Sequence, residues 1–349
     1  MKNLVYFFIS NYSKLITRLY FGKVEVRGIE RIPKEHPVIY SVNHQNAFMD
    51  ALIVGSLSPK ITYSITRADV FKPLFKWFMD AIKMIPIYRI RDGYDQLAKN
   101  EETFKKINEA LNDSSAVTIF SEGNHGNDYY LRSISKGSAR MALEAQTKMK
   151  QLDVMIVPVG INYYHHQRPL HKVSVVYGNA ISVKLYFDLY LEHGAKGVNQ
   201  LKEAIAEGMK SCLLIPENNL TYDDQIKKIN RLNESLSFHE MKEQLTTQEA
   251  LHTMSKPNRS IYFLGKVLGI FNFGPLLLLQ IILGGIKDIV FYGSIKWATA
   301  LIIFPIWYFL IWVTSSYLLG AQWGFAITLS GVSLLYLRQY LIKWSNVQH

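Results

Sequence analysis

Two residues six positions apart, His44 and Asp50 in the stretch NHQNAFMD, have the types needed for proton transfer. A neutral imidazole takes a proton from a hydroxyl, and a carboxylate on its other nitrogen fixes the tautomer and supports the imidazolium. On a continuous helix such a spacing places the side chains about 240° apart. The two meet only if His44 lies in a strand-to-helix turn and Asp50 in the next helix, with Asn46 as the expected cap. Read alone, the pair fits a structural histidine beside a helix cap better than a catalytic one. A second set succeeds the apolar stretch AVTIF. Glu122 and Gly123 end that strand, where a ligand-facing carboxylate and a close backbone approach are expected, while Arg132 and Lys136 bring charge toward a helix starting near Gly137. The same residues also fit an ordinary solvated loop. Arg89 closes the apolar MIPIYR, and its planar fork suits a phosphate. Arg91 falls on the solvated side of the next turn. Pro158, inside VMIVPVGINYY, points to a strand edge or a shaped wall beside a site. His165, His166 and His171 lack the carboxylate or cysteine spacing of a metal site, so no metal is expected, and no GxSxG elbow offers an acyl-enzyme nucleophile.

The elements that would position these groups alternate. VEVRGIERIP, PVIYSV, ITYSIT, MIPIYR, AVTIF, VMIVPVGINYY and KVSVVYGNAISV are strand-like, and NHQNAFMDALIVGSL, VFKPLFKWFMDAI, EETFKKINEALND and KGSARMALEAQTKM are helical between them. Apolar strands separated by helices predict an α/β domain with a mostly parallel central sheet flanked by helices, spanning residues 23–190, with functional groups at the carboxyl ends of its strands. Residues 191–260 are polar and helical with few apolar anchors and read as an extension joining this domain to an apolar C-terminal part.

That C-terminal part, residues 261–349, reads as a membrane region. No charge occurs from Val267 to Ile286, a run of 20 residues, or from Trp297 to Leu337, a run of 41. A bilayer crossing needs about 20 apolar residues, so the longer run predicts a helical hairpin and the earlier one, with Pro275 and four glycines, a third kinked span or a re-entrant segment. Counting basic flanks puts Lys287 and Lys296 on the same side as Arg338 and Lys343. At the other end, residues 1–22 place Leu4, Val5, Phe8, Ile9, Tyr12, Leu15, Ile16 and Leu19 at helical spacing, which predicts an amphipathic helix at the membrane interface. The apolar run there is too short for a signal-peptide core.

The 349 residues carry a net charge of +11, are 13% aromatic and hold a single cysteine, Cys212, which together exclude a disordered chain and a disulfide-stapled scaffold. Residues 256–349 contribute +6 of that charge. The cations are dispersed and no helix-turn-helix or zinc spacing occurs, so a nucleic-acid partner is not expected.

NHQNAFMD, IPIYR, FSEGNHG with LRSISKGSARMALEA after it, and VPVGINY occur in the order of four blocks of the glycerolipid acyltransferases, the 1-acylglycerol-3-phosphate and glycerol-3-phosphate acyltransferases, and over residues 35–185 the chain resembles that family. The resemblance implies a membrane-bound O-acyltransferase of phospholipid synthesis, with His44 as base and Asp50 as its charge partner. By the same resemblance Arg89, Glu122 and Gly123 hold the acceptor's phosphate and glycerol, and Pro158 helps shape the acyl-chain site. The implied partners are the bilayer, a glycerol phosphate lipid acceptor (lysophosphatidic acid or glycerol-3-phosphate), and acyl-CoA or acyl-carrier protein as donor, with no further cofactor. The implied place is the cytoplasmic membrane, with the catalytic domain on its cytoplasmic side. Two departures stand out: five residues rather than four separate His44 from Asp50, and Ser121 and Asn124-His125 replace the usual proline and Thr-Arg of the third block. Arg132 or Lys136 is then the expected substitute for the missing arginine. A lyso-aminolipid acylating enzyme and an inactive lipid-binding module are the competing readings.

Overall fold

The computed structural model describes residues 2–73, 76–89, 94–229, 234–246 and 257–346; Arg91 lies outside the described residues, as do 230–233 and 247–256 of the expected extension. In chain order, helix α1 (Lys2–Tyr20) precedes strands β1 (Lys23–Arg27) and β2 (Val38–Val42), then α2 (Ala47–Leu57), β3 (Thr62–Arg67), α3 (Lys76–Ala81), β4 (Met84–Ile87), α4 (Asn100–Asn112), β5 (Ala116–Phe120), α5 (Gly137–Lys148), β6 (Met155–Tyr163), β7 (Lys172–Tyr177) and β8 (Ile181–Ser182). The rest is helical: α6 (Lys184–Glu192), α7 (Gly194–Ser211), α8 (Tyr222–Ile229), α9 (Phe238–Thr246), α10 (Arg259–Leu268), α11 (Phe273–Gly284), α12 (Val290–Ala298), α13 (Phe304–Leu319) and α14 (Ala321–Trp344).

The strands form one sheet in the order β1-β7-β6-β2-β5-β3-β4, with β8 also on β6. Among the described pairings only β6–β7 and β6–β8 are antiparallel. Strands β2 to β6 therefore all end at one edge of the sheet. Because β2 is buried along its whole length, both its faces need cover. Ile39, Val117 and Ile156 face α4, α5 and α7. Val38, Tyr40, Val42, Val159 and Ile161 face α1 and α2, where Ile16, Tyr20, Met49, Ile53 and Val54 are buried, and Trp297 of α12 joins them. The result is the expected α/β layering.

Three expectations change. The stretch after residue 190 is not an unanchored extension: α7 buries Val198, Leu201, Ile205 and Met209, one helical stripe, in the sheet's core. The anchors are few but recur at the helical period, which is what burial requires. KVSVVYGNAISV is two strands, broken at residues 178–180. Pro158 is not at an edge, since β6 lies between β2 and β7. The N–H and C=O of one strand residue point the same way, and the Pro158 carbonyl accepts from Gly178 N (2.8 Å). Its missing donor thus falls in the gap between the β7 and β8 pairings, which cover Val159–Tyr163 and Met155–Ile156.

At the C-terminal end, Arg259–Gly284, Val290–Leu319 and Ala321–Trp344 are three helical stretches long and apolar enough to cross a membrane. The first is the expected third segment; a 3-10 turn at Gly269–Asn272 breaks it ahead of Pro275. A π turn at Thr299–Ile303 links α12 to α13, and Gly320, at φ 91°, makes the hairpin between α13 and α14.

Candidate active site

β2 ends at Val42, and the chain turns through Asn43 and His44 into α2. Asn43 is fully buried and pins this turn to β6, its side chain donating to the Ile161 carbonyl (3.0 Å) and accepting from Ile161 N (2.7 Å). Asp50, one turn into α2 and 0% exposed, accepts four hydrogen bonds: Oδ2 from His44 Nδ1 and the Gln45 and Asn46 amides (2.8 Å each), Oδ1 from the Tyr163 hydroxyl (2.6 Å). An acceptor-only carboxylate fixes the His44 tautomer with its proton on Nδ1. Nε2 meets no hydrogen-bond partner among the described residues. The imidazole stacks on Phe120 at the end of β5, centroids 4.1 Å apart.

The spacing of six is reconciled at Ala47, whose φ of 42° lies in the left-handed region. That residue turns the chain into α2 so that Asp50 comes back to His44. Asn46 occupies the cap position, but its side chain does not cap; its amide donates to the His166 carbonyl (3.2 Å), the Met49 amide that such a cap would take donates to Ser294 Oγ (3.2 Å), and the Asp50 carboxylate reaches back to the Asn46 backbone amide. Burial pushes His166 down to about 4. It is therefore neutral at physiological pH, and its Nε2 lies 3.1 Å from Gln45 Oε1.

Glu122, expected at the acceptor, has a side chain only 1% exposed. Its Oε2 accepts from His44 N (2.8 Å) and Arg132 Nη2 (2.7 Å), and Oε1 accepts from Arg132 N (3.0 Å). Arg132 donates further to the carbonyls of His44 (3.2 Å) and Asn124 (2.5 Å). A Cβ on Gly126 would stand 2.7 Å from the guanidinium carbon, so glycine there makes room for it. Glu122 and Arg132 thus form an ion pair that holds the His44 backbone, with both carboxylate oxygens of Glu122 accepting from protein donors. Gly123, at φ 75°, turns the chain out of the strand, its N–H donating to the Phe120 carbonyl (3.0 Å). Lys136 is exposed at the start of α5. Arg89 is half-buried just past β4, at the same sheet edge but three strands from β2. It adds to the field of Arg67, whose hydrogen bonds hold the Asp69 carboxyl below its ordinary range. Pro158 is not brought to this cluster. It faces α7, where a Cβ on Gly208 would come within 2.5 Å of its ring.

Sequence reasoning missed Tyr163, Gln45, Phe120 and Arg67. Arg67 closes β3 as an arginine ending a strand, the signal that singled out Arg89. It missed as well what the C-terminal helices do here. His125 Nε2 lies 3.2 Å from Asp288 Oδ2, with Phe291 edge-on to its ring at 4.9 Å. Burial, and then the neighbouring His44, lower the His125 pKa. Gly293 and Ser294 seat α12 on the turn that carries His44: Ser294 bonds the Asn46 carbonyl, and a Cβ on Gly293 would meet Asn46 Oδ1 at 2.4 Å.

A family model described as Acyltransferase matches residues 23–162. The 1-acyl-sn-glycerol-3-phosphate acyltransferase LPAT1, chloroplastic, of Arabidopsis thaliana is 25% identical over 194 residues, 54% of this chain and 50% of its own. Glycerol-3-phosphate O-acyltransferase 2 of Saccharomyces cerevisiae is 30% identical over 131 residues, 37% of this chain and 17% of its own. The chain thus spans half or less of the length of these curated relatives. The crystal structure of the 1-acyl-sn-glycerophosphate (LPA) acyltransferase PlsC from Thermotoga maritima aligns with a TM-score of 0.44 at 20% identity, covering 61% of this chain and 80% of that one.

Proposed function

We propose that the chain, whose residues 23–162 match the Acyltransferase family model, is a glycerolipid acyltransferase: a membrane-bound O-acyltransferase transferring a fatty acyl group from a thioester to a hydroxyl of a glycerol-phosphate-type acceptor. The observation that carries this reading is the buried Asp50, whose four hydrogen bonds fix the His44 tautomer with Nε2 left for chemistry. Nε2 takes the hydroxyl proton as the oxygen attacks the thioester carbonyl. The C–O bond forms, the C–S bond breaks, and the departing thiolate recovers the proton from the imidazolium, which Asp50 supports. No acyl-enzyme is required. Arg89 and Lys136, with Arg67, are the cations at the sheet's carboxyl edge that would hold the acceptor's phosphate and align its hydroxyl.

The donor is acyl-CoA or acyl-carrier protein, and no other cofactor enters. The three apolar helices span the bilayer in this reading. The exposed side of α1, with Leu4, Phe7, Phe8, Leu15 and Leu19, lies in the membrane interface, consistent with its contacts to the π turn before α13 and to α14 through Tyr12 and Tyr336. Lys266, Lys296, Arg338 and Lys343 gather at the domain end of those helices, which by the positive-inside rule favours a catalytic domain on the cytoplasmic side. The test is product analysis with the purified full chain across lysophosphatidic acid, glycerol-3-phosphate and a lyso-aminolipid, each with both donors. A glycerol phosphate is expected to be acylated and His44→Ala to lower the rate by about 10²–10⁴-fold. Turnover at the wild-type rate in His44→Ala would remove His44 as base, and acylation of the aminolipid alone would overturn the acceptor assignment.

A further inference from the structure

A cavity of about 480 Å³ lies where α1, the loop at residues 165–171 and helices α10 to α14 meet. That volume is within the range of small-molecule sites, about 300–1,000 Å³. It is separate from the His44 cluster, because the buried contacts of His166 with Gln45 and Asn46, and of Ser294 with Asn46, stand between. Its two ends differ. Arg168, Lys266, Lys296, Arg338 and Lys343 line the domain side, and no aspartate or glutamate among the described residues lines the cavity. Leu276, Leu279, Phe304, Val332 and Leu335 line the other side. Leu335 is one helical turn from Arg338 and Val332 a second, about 5 and 9 Å along α14.

The charge is unbalanced. Lys343 is matched by Glu234 at 2.7 Å, but Lys296 sits in the repulsive field of Arg168, Arg338 and Lys266. Arg338 Nε is buried with no hydrogen-bond partner among the described residues. Like charges gathered at the end of apolar helices are costly unless an anion lies among them.

We propose that this cavity binds a membrane phospholipid with an anionic headgroup, its phosphate among Lys266, Lys296, Arg338 and Arg168 and an acyl chain along α11, α13 and α14. The lipid would bridge α1 and the 165–171 loop to the membrane helices, and its binding does not depend on the acyl-transfer reading. The experiment uses the full chain in neutral detergent, with phosphatidylglycerol or phosphatidylcholine of the same acyl chains, or inorganic phosphate, added in separate arms. Thermal melting and native mass spectrometry are the readouts. Phosphatidylglycerol is expected to be retained one per chain and to raise the melting temperature, while phosphatidylcholine and inorganic phosphate leave it unchanged. Lys266→Gln, on an exposed stretch of α10, should weaken the phosphatidylglycerol effect about fivefold, and the Lys266→Gln/Arg338→Gln double variant about twentyfold or more. Leu335→Trp, which fills the apolar end, should abolish retention with both cations intact. Equal response to both lipids, full response to inorganic phosphate, or undiminished retention in Lys266→Gln would overturn the proposal.

Discussion

Tyr163→Phe isolates what holds the His44–Asp50 pair. The Tyr163 hydroxyl donates to Asp50 Oδ1 at 2.6 Å, and both side chains are buried, at 1% and 0% exposure. Burial, reinforced by the Asp50 charge, pushes the phenol well above its ordinary pKa, so it stays a donor throughout the working range. Removing the hydroxyl leaves Oδ1 buried without a donor, while Oδ2 keeps His44 and the two amides. A hydrogen bond to a charged group contributes about 1.5–3 kcal/mol, and that is the expected loss of stability. If the whole loss were felt at the transition state, kcat would fall about tenfold to a hundredfold. Because His44 keeps its own bond to Oδ2, the lower end is expected, with KM for both substrates unchanged. Tyr177→Phe is the internal control: its hydroxyl is equally buried but has no partner among the described residues, so its removal should leave both melting and rate unchanged or raise stability slightly. Melting curves and steady-state kinetics on the two purified variants decide the matter. If both tyrosine variants behave alike, or if Tyr163→Phe changes KM alone, Tyr163 does not position Asp50.

Ala47→Val places a β-branched side chain at φ 42° and should cost about 1–2 kcal/mol with a large loss of kcat, while Ala47→Gly stays active; a fully active valine variant would show that this turn does not set the His44–Asp50 geometry. Arg132→Gln breaks the buried pair with Glu122 and should destabilise the protein by about 3–5 kcal/mol, read from denaturation. Arg132→Lys, which keeps the charge but not the fork, should lower kcat with little change in the acceptor's KM; a rise confined to KM would restore the phosphate-ligand role. His166 titrates near 4 when folded against 6.5 when unfolded, so between those values the unfolded chain binds more protons and stability falls as the pH drops, by about 3 kcal/mol in all. His166→Gln should flatten that part of the curve of melting against pH, and an identical slope in both proteins would remove His166 as its source.

The order of strands and helices was readable because both faces of the central strands are buried, which writes unbroken apolar runs into the sequence; the His44–Asp50 pair was readable because its members lie six residues apart. That the groups stand at the carboxyl edge comes from the alternation alone. What escaped depends on contacts distant in the chain or on backbone angles. Ala47 has no sequence mark for a left-handed φ, since glycine or asparagine is the residue that announces one. Tyr163 looked like one more aromatic at the end of a buried strand, and only the fold brings its hydroxyl to Asp50, 113 residues away. Glu122 and Arg132 carry charges that suit a ligand and a buried pair equally well, and their pairing with each other, which the sequence does not state, is visible only in the fold. The largest surprise has the same origin. The apolar helices read as an anchor, yet Asp288, in the loop before α12, reaches His125 across 163 residues with Phe291 beside it, and Gly293 and Ser294 rest on the turn that holds His44. Glycine at 293 is explained by that contact, because any Cβ would collide with Asn46 and the His166 carbonyl. The apolar C-terminal helices therefore form part of the wall of the candidate site, and a change at Gly293 should disturb the His44 turn without touching any group placed in the proposed chemistry.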